Sequence, residues 1–405
     1  MRFLLRILLR LIFLPLILLL GAILHLIPPI YKFPAAKPFS GKVFYNPYRD
    51  IDSVEWKPAN FHMHGRAWGG ITNGKSNNDS EIWKYYHEMG FKSISISNYQ
   101  NINTLYKDSS FHIPAYEHGY GIYKNHHLCL DARKVNWFDM PFKQTASQKQ
   151  FVINRLKNSC RFVAINHPSF FNGYTEKDFT QLTGYDFIEA INGYRRSFGH
   201  WDAALSAGRC AFLTANDDMH NLDNIKEPAR CFMLINTPTN KKNDVFSALE
   251  KGAVIGIMMP APEYCTFEQR KEQISQLPVL KNVTIENDSL KVEFNQVAFY
   301  IKFYGQNGKP LGKLDYIKKA AFPVTVSDPY IRVQAVFSTK DDPEGLQYFL
   351  NPIVRTNDGN KPKMPIASVD VFKTVLIKTA ILLAVWYILY LFFKRRKRRK
   401  AIKAA

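Results

Sequence analysis

Cysteine is scarce in this chain of 405 residues: Cys129, Cys160, Cys210, Cys231 and Cys265 form an odd set with no C-x-x-C spacing. Neither a thiolate metal site nor a disulfide framework is indicated. Four of the five lie in apolar stretches, where a buried free thiol is the ordinary explanation. Glycine and proline are modest at 21 and 22 residues, and repeats and low-complexity tracts are lacking. With 46% hydrophobic and 22% charged residues, this excludes a disordered or collagen-like chain and leaves one large domain or two ordinary ones. Acidic residues are missing from the first and last 35 positions, which hold four and ten basic residues. Of the formal charge of +20, only +6 therefore belongs to the body. A nucleic-acid partner, which so basic a chain first suggests, is the least favoured class.

The greasy ends read as membrane segments. Leu11 to Tyr31 contains no charged residue other than histidine and follows Arg2, Arg6 and Arg10, and at 1.5 Å per helical residue it can cross a hydrocarbon core of ~30 Å. An uncleaved anchor is favoured over a signal peptide. Val375 to Phe393 is interrupted only by Lys378, which can snorkel, and seven basic residues follow, Lys394 to Lys400. Lys and Arg beside a span are retained in the cytoplasm. The expectation is an integral membrane protein with two transmembrane helices, both termini cytoplasmic and the domain between them extracytoplasmic. The chain divides into a basic flank and helix (1–31), a linker (32–56), a first domain (57–260), a β-rich module (261–356), a linker (357–373), a helix (374–393) and a basic tail (394–405).

Within 57–260, short apolar runs alternate with helix-compatible stretches. Ser93 to Ile96, Phe162 to Ile165, Phe187 to Ile191, Ala211 to Thr214 and Val254 to Ile257 read as buried strands. Glu81 to Met89 and Val245 to Lys251 read as helices ended by Gly90 and Gly252. This pattern predicts an α/β fold with mostly parallel pairing, open or closed into a barrel. After ~265 the pattern alternates with period 2, as in Leu290 to Phe294 and Ile331 to Ala335, with a hairpin turn at Gln306-Asn307-Gly308-Lys309. That predicts a small antiparallel β module.

Among the eleven histidines, several directly follow or open strand-like runs. His62 and His64 form H-x-H, which in an extended segment puts both imidazoles on one side. Glu117 precedes His118, His126-His127 open an apolar stretch, His167 ends Asn166-His167-Pro168, and Asp217-Asp218-Met219-His220 follows a strand. Imidazoles and carboxylates at several strand ends form a ligand set expected for Zn, Mn or Fe.

The order H-x-H, Glu-His, N-H-P and D-x-H resembles the PHP (polymerase and histidinol phosphatase) metal-dependent phosphoesterase family. Phe187 to Gly193, Trp201 to Leu205, Gly208-Arg209 and Ala248 to Gly252 extend the resemblance over ~57 to 260, and Tyr348 to Ile353 looks like a tail appended to some members. The resemblance implies a distorted (β/α)7 barrel and two divalent metal ions (Mn, Zn or Fe). One would be held by His62, His64, Glu117 and Asp218, the second by Glu117, His127 and His167, with His126 an open substitute for His127. The family's T-D-H-N-like strand end reads Ser97-Asn98-Tyr99-Gln100 here, and its further His after H-x-H is missing, so a two-metal centre is expected.

The chemistry that follows is hydrolysis of a phosphate ester by a metal-activated hydroxide. His220 and Tyr99 are candidate catalytic proton carriers. Arg66, Arg195 and Arg196 are candidates for clamping substrate phosphate. The expected activity is a membrane-tethered phosphatase or phosphodiesterase acting on a lipid headgroup or envelope-glycan phosphate. The alternatives are a non-phosphate metallohydrolase and a catalytically inactive metal-binding or scaffolding domain.

Overall fold

The computed structural model describes residues 27–260, 265–337 and 345–404. Two compact units result, residues 34–366 and the chain ends.

In the large unit, β2 (Val43–Tyr45), after the short terminal strand β1 (Tyr31–Lys32), leads to β3 (Trp56–Asn60), α1 (Asp79–Glu88) and β4 (Ser93–Ile94). α1 starts at a capping box between Asn78 and Glu81, and Gly90, at φ 103°, turns the chain after it. β5 (Ala115–His118), β6 (His127–Leu130), α2 (Ala146–Lys157), β7 (Phe162–Ile165), α3 (Glu176–Gln181), β8 (Phe187–Asn192), α4 (Phe198–Ser206) and β9 (Phe212–Asn216) follow. β5 to β9 form one sheet in sequence order, antiparallel across β5/β6/β7 and parallel across β7/β8/β9.

β10 (Cys231–Asn236), α5 (Lys242–Lys251), β11 (Val254–Met258) and α6 (Phe267–Ser275) precede the long antiparallel strands β12 (Leu280–Glu286), β13 (Ser289–Tyr304), β14 (Pro310–Pro323) and β15 (Tyr330–Phe337), then β16 (Leu346–Leu350) and β17 (Ile353–Thr356). These join β3 and β4 in a second sheet, ordered β12-β13-β15-β16-β11-β10-β3-β4, with β14 on β13 and β17 between β15 and β2. The β-rich segment thus shares a continuous sheet with strands of the first domain, and one apolar core runs from Met63 and Phe232 to Phe303 and Val333.

No sheet closes on itself among the described residues. The barrel is therefore replaced by two open sheets, and parallel pairing is the minority: β10 lies antiparallel between β3 and β11. β9 packs on β10 and β11 of the other sheet, and single parallel bridges, Met63 to Met219 and Tyr99 to Glu117, join the segments at the strand ends. Those two seams lie where the candidate ligands sit.

In the terminal unit, β1 pairs antiparallel with β18 (Ser368–Val369), and α7 (Val371–Ala404) follows. The N–H of Ile30 donates to Thr374 Oγ1 at 3.0 Å, and that of Asp370 to the Ile30 carbonyl at 2.8 Å. Val371–Arg395 is long and apolar enough to cross a membrane, with a mean hydropathy of 2.2. Of the first expected span, Leu11 to Tyr31, residues 11–26 lie outside the described residues, and its end departs from the expectation: 27–30 are not helical and Tyr31 belongs to β1, the Pro28-Pro29 pair being unable to continue a helix.

Candidate metal centre

His62 and His64 lie just past β3, where the chain continues extended and is clamped to the segment after β9: the Asp218 N–H donates to the His62 carbonyl (2.9 Å), and the His64 N–H to that of Met219 (2.8 Å). Both rings share one side, 5.1 Å apart. Glu117 projects from β5. The β5/β6 register sets His118 opposite His127 and Glu117 opposite Leu128. Alternation then places His126, two residues before Leu128, on the face of Glu117 and His127 on the other. β6 runs against its neighbours, so its start lies beside their carboxyl ends. His167 follows β7 and Asp218 follows β9, both with left-handed backbone at φ 28° and 55°, a strain typical of functional positions.

Two sets of donors converge: His62, His64, Glu117 and Asp218, and Glu117, His126 and His167, with one ligand atom per residue within 4.8 Å of the others in each set. Glu117 belongs to both. His62 Nε2 lies 3.1 Å and His167 Nε2 3.2 Å from Glu117 Oε1, and His126 Nδ1 is 3.1 Å from the same oxygen. His64 Nε2 lies 3.3 Å from Glu117 Oε2 and 3.2 Å from Asp218 Oδ1. These last three atoms are buried without an aligned hydrogen bond among the described residues. Such orphaned atoms are costly, and nitrogen and carboxylate donors facing one another are what a divalent cation completes. The residues fit the expected metals.

His127, implied as a ligand by the resemblance, stands elsewhere. Its Nε2 meets the Tyr174 hydroxyl at 2.7 Å, and burial pushes its pKa well below the usual value. His126 stands with Glu117 and His167 in the second donor set instead.

Burial opposes charge throughout the centre, and partners decide the outcome. Asp218, Glu189 and Glu117 outweigh desolvation of His62 and hold its pKa well above the ordinary value. The imidazoles of His126 and His62 likewise overcome the burial of Glu117 and hold it well below the carboxylate range, and His62 does the same to Asp218. Burial and the neighbouring His64 lower His220 to about 4.

Glu189 was not picked out as a site residue from the sequence. Its carboxylate, wholly buried in β8, meets His62 Nδ1 at 2.8 Å and accepts from the His167 N–H (3.0 Å), Asn192 Nδ2 (2.9 Å) and Asn216 Nδ2 (3.0 Å). A donated Nδ1–H leaves the His62 Nε2 lone pair facing Glu117, the outer-shell arrangement that orients metal-binding histidines. Asn166 donates to Glu117 Oε1 at 2.9 Å. The available signal was a carboxylate inside an otherwise apolar strand, which must find partners when buried. Asp217 turns the other way, accepting from the Tyr86 hydroxyl, Asn60 and the N–H groups of Ala229, Arg230 and Cys231.

The Tyr99 and His220 rings both stack on His64, at 4.3 and 4.5 Å. Burial, then the nearby Glu117, pushes the Tyr99 hydroxyl well above its ordinary value. The arginines stay outside this cluster. Arg66 is exposed, and Arg195 lies over the Phe170 ring at 5.0 Å, with Phe170 against His167. Arg196 is tied to the Asn192 carbonyl and to Met258 Sδ. The cation that lines a cavity with His126 is Lys124. A larger hollow of about 920 Å³, between 41–49 and 283–288, contains none of these ligands.

Fold and site define a mixed α/β protein with a buried His/Glu/Asp cluster able to bind metal ions. No family model matches the chain, and no curated protein does. Among solved structures it is similar to the crystal structure of a two-domain protein containing a predicted PHP-like metal-dependent phosphoesterase from Bacteroides vulgatus, with a TM-score of 0.39 and 13% identity over 78% of this chain and 99% of that one. Nothing about the site rests on a likeness so distant.

Proposed function

We propose that this chain is a membrane-tethered, metal-dependent phosphoesterase of the PHP type. The observation that carries the reading is Glu117, a buried carboxylate shared by two converging donor sets. Two divalent ions held there would supply Lewis acidity toward phosphoryl oxygens and lower the pKa of a water toward neutrality. The chain's own groups have distinct tasks. Glu189 and Asn166 fix the orientation of His62 and Glu117. His220, kept neutral, offers an unpartnered Nε2 to a proton, while Tyr99 keeps its proton and can give it to a leaving oxygen. Lys124 supplies positive charge beside His126, and Arg195 supplies it beyond Phe170.

Membrane tethering draws support from α7 and from the β1/β18 pairing, which brings the two ends of the chain together at the start of that helix. The exposure of Arg66 and the engagement of Arg196 with the Asn192 carbonyl and Met258 favour one other reading, a non-phosphate metallohydrolase.

The test is the metal content of the full chain, purified in detergent without chelator or affinity nickel, followed by hydrolysis of a panel of phosphomonoesters, phosphodiesters, amides and carboxylic esters. About two Mn, Fe or Zn ions per chain and turnover of a phosphate ester are expected, with Glu117→Gln lowering both the metal content and the rate at least ~100-fold in kcat/KM. Metal content near zero after reconstitution would sink the reading. Turnover confined to amides or esters would select the rival.

A further inference from the structure

A cavity of about 420 Å³ opens beside the metal centre, lined by Trp68, Tyr99, Tyr120 and Trp137 and by the polar Asn73, Gln100 and Lys124. The two indoles are half exposed, with ring centroids 5.7 Å apart and planes at 68°. The Trp68 N–H is already spent on the Tyr99 carbonyl at 2.7 Å, which fixes that ring. Gln100 is the unusual member. It is only 6% exposed, and its backbone N–H serves the Glu117 carbonyl, yet neither its carboxamide oxygen nor its nitrogen has a partner among the described residues. A buried carboxamide with both ends unmet calls for a ligand that offers an acceptor and a donor side by side.

We infer that this cavity is a saccharide subsite, so that the substrate is a phosphorylated sugar. A pyranose ring is thick and has apolar C–H faces, with hydroxyls around its rim that each donate and accept. The corner made by two indoles at 68° presents one face and one edge, which suits such a ring. A flat nucleobase is instead held between parallel rings. The Gln100 carboxamide pairs with two adjacent hydroxyls, its oxygen accepting from one and its nitrogen donating to the other, while Tyr99 and His126, shared with the metal centre, place the sugar's phosphate toward the ligand cluster. Where that phosphate is processed rests on the phosphoesterase reading; recognition of the ring does not.

The full chain is purified in lauryldimethylamine oxide, which has no sugar headgroup, and examined both stripped with EDTA and reloaded with Mn. Methyl glycosides of glucose, galactose, mannose and N-acetylglucosamine are titrated by tryptophan fluorescence and saturation-transfer NMR, with adenosine as the planar comparator. A glycoside is expected to bind both forms more tightly than adenosine does. Gln100→Ala and Trp137→Ala should each weaken it about tenfold, and Gln100→Glu, close to isosteric, guards against a folding defect in the alanine variant. The inference is overturned if no glycoside binds the folded chain, if adenosine is preferred, or if binding is indifferent to Gln100→Glu, Gln100→Ala and Trp137→Ala. Glycoside binding that survives EDTA in a protein that cleaves no phosphate ester keeps the subsite and removes the phosphoesterase reading. Cleavage with no sugar preference does the reverse.

Discussion

The exchange of His127 for His126 shows how one residue of register decides which imidazole faces Glu117. Adjacent strand residues face opposite ways, so the choice depends on which residue of β6 lies opposite Glu117. The pairing of Glu117 with Leu128 answers that, and it is a tertiary fact absent from any local pattern. His126→Ala is therefore expected to remove about half of the bound metal, read by elemental analysis. His127→Gln, whose amide oxygen can still accept from Tyr174, should leave the metal content unchanged and cost about 1 kcal/mol of stability. Equal metal loss in both variants would contradict the assignment. In the metal-free chain the same residues set a pH dependence. His62, with its folded pKa raised, contributes stability that is fully present below about 6.5, its ordinary value, and is lost as pH rises through the raised value. Glu117 and Asp218, held low, contribute above about 4 and lose that contribution as pH falls through their lowered values. The Tm of the metal-free chain should thus decline on the alkaline side of neutrality, and loading with Mn or Zn should suppress the decline. A Tm flat from about pH 6 to 9 without metal would count against the proton-linked cluster. That His62, His64, Glu117, His167 and Asp218 are candidates was legible because each is a chemically distinctive residue in or beside a strand end, and the structure brings them together. Glu189 was not, because its role depends on His62 Nδ1 arriving from another strand.

At the scale of elements, periodicity located β7, β8, β11 and the hairpin at Gln306–Gly308, where Asn307 and Gly308 both take positive φ. It located strands without their partners. β10 is an apolar run that joins β3 to β11, and its antiparallel insertion extends one sheet through both halves of the large unit. A side-chain linkage secures the same halves. Asp202, on α4, accepts from Arg332 Nε at 2.7 Å and Nη2 at 2.6 Å, and from the Tyr330 hydroxyl at 3.0 Å, all three groups being buried. Arg332 also lies over the Tyr304 and Trp201 rings. Removing one member of a buried bidentate pair leaves the other charge uncompensated. Asp202→Ala should destabilise the protein by about 3–5 kcal/mol in denaturant unfolding. Asp202→Ala combined with Arg332→Leu should recover much of that loss, because no lone charge remains buried. A double variant as unstable as the sum of its parts would show that the linkage works through packing alone.

Across the whole molecule, the charge distribution and the pairing of the ends point to one arrangement. The body carries little of the net charge, while Lys394 to Lys400 forms a block that resists transfer across a membrane. β1 and β18 bring the end of the first expected span together with the segment before the second, with Ile30 bonded to Asp370 and Thr374 at the start of α7. If both segments span, entering a bilayer from one such junction would carry both termini to the same side, and we propose from the basic block that this side is the cytoplasm. A fluorescent protein fused after Ala405, of a kind that matures only in the cytoplasm, should therefore be bright, and the full chain should stay in the membrane pellet at alkaline carbonate pH. Deleting 371–405 should leave the chain in that pellet, because the first apolar segment still anchors it, whereas deleting 1–31 as well should release the body. Release by the single deletion would mean that the first segment does not span, and a dark fusion would invert the topology, placing the candidate metal centre in the cytoplasm and changing the pool of substrates open to it without changing the residues proposed as its ligands.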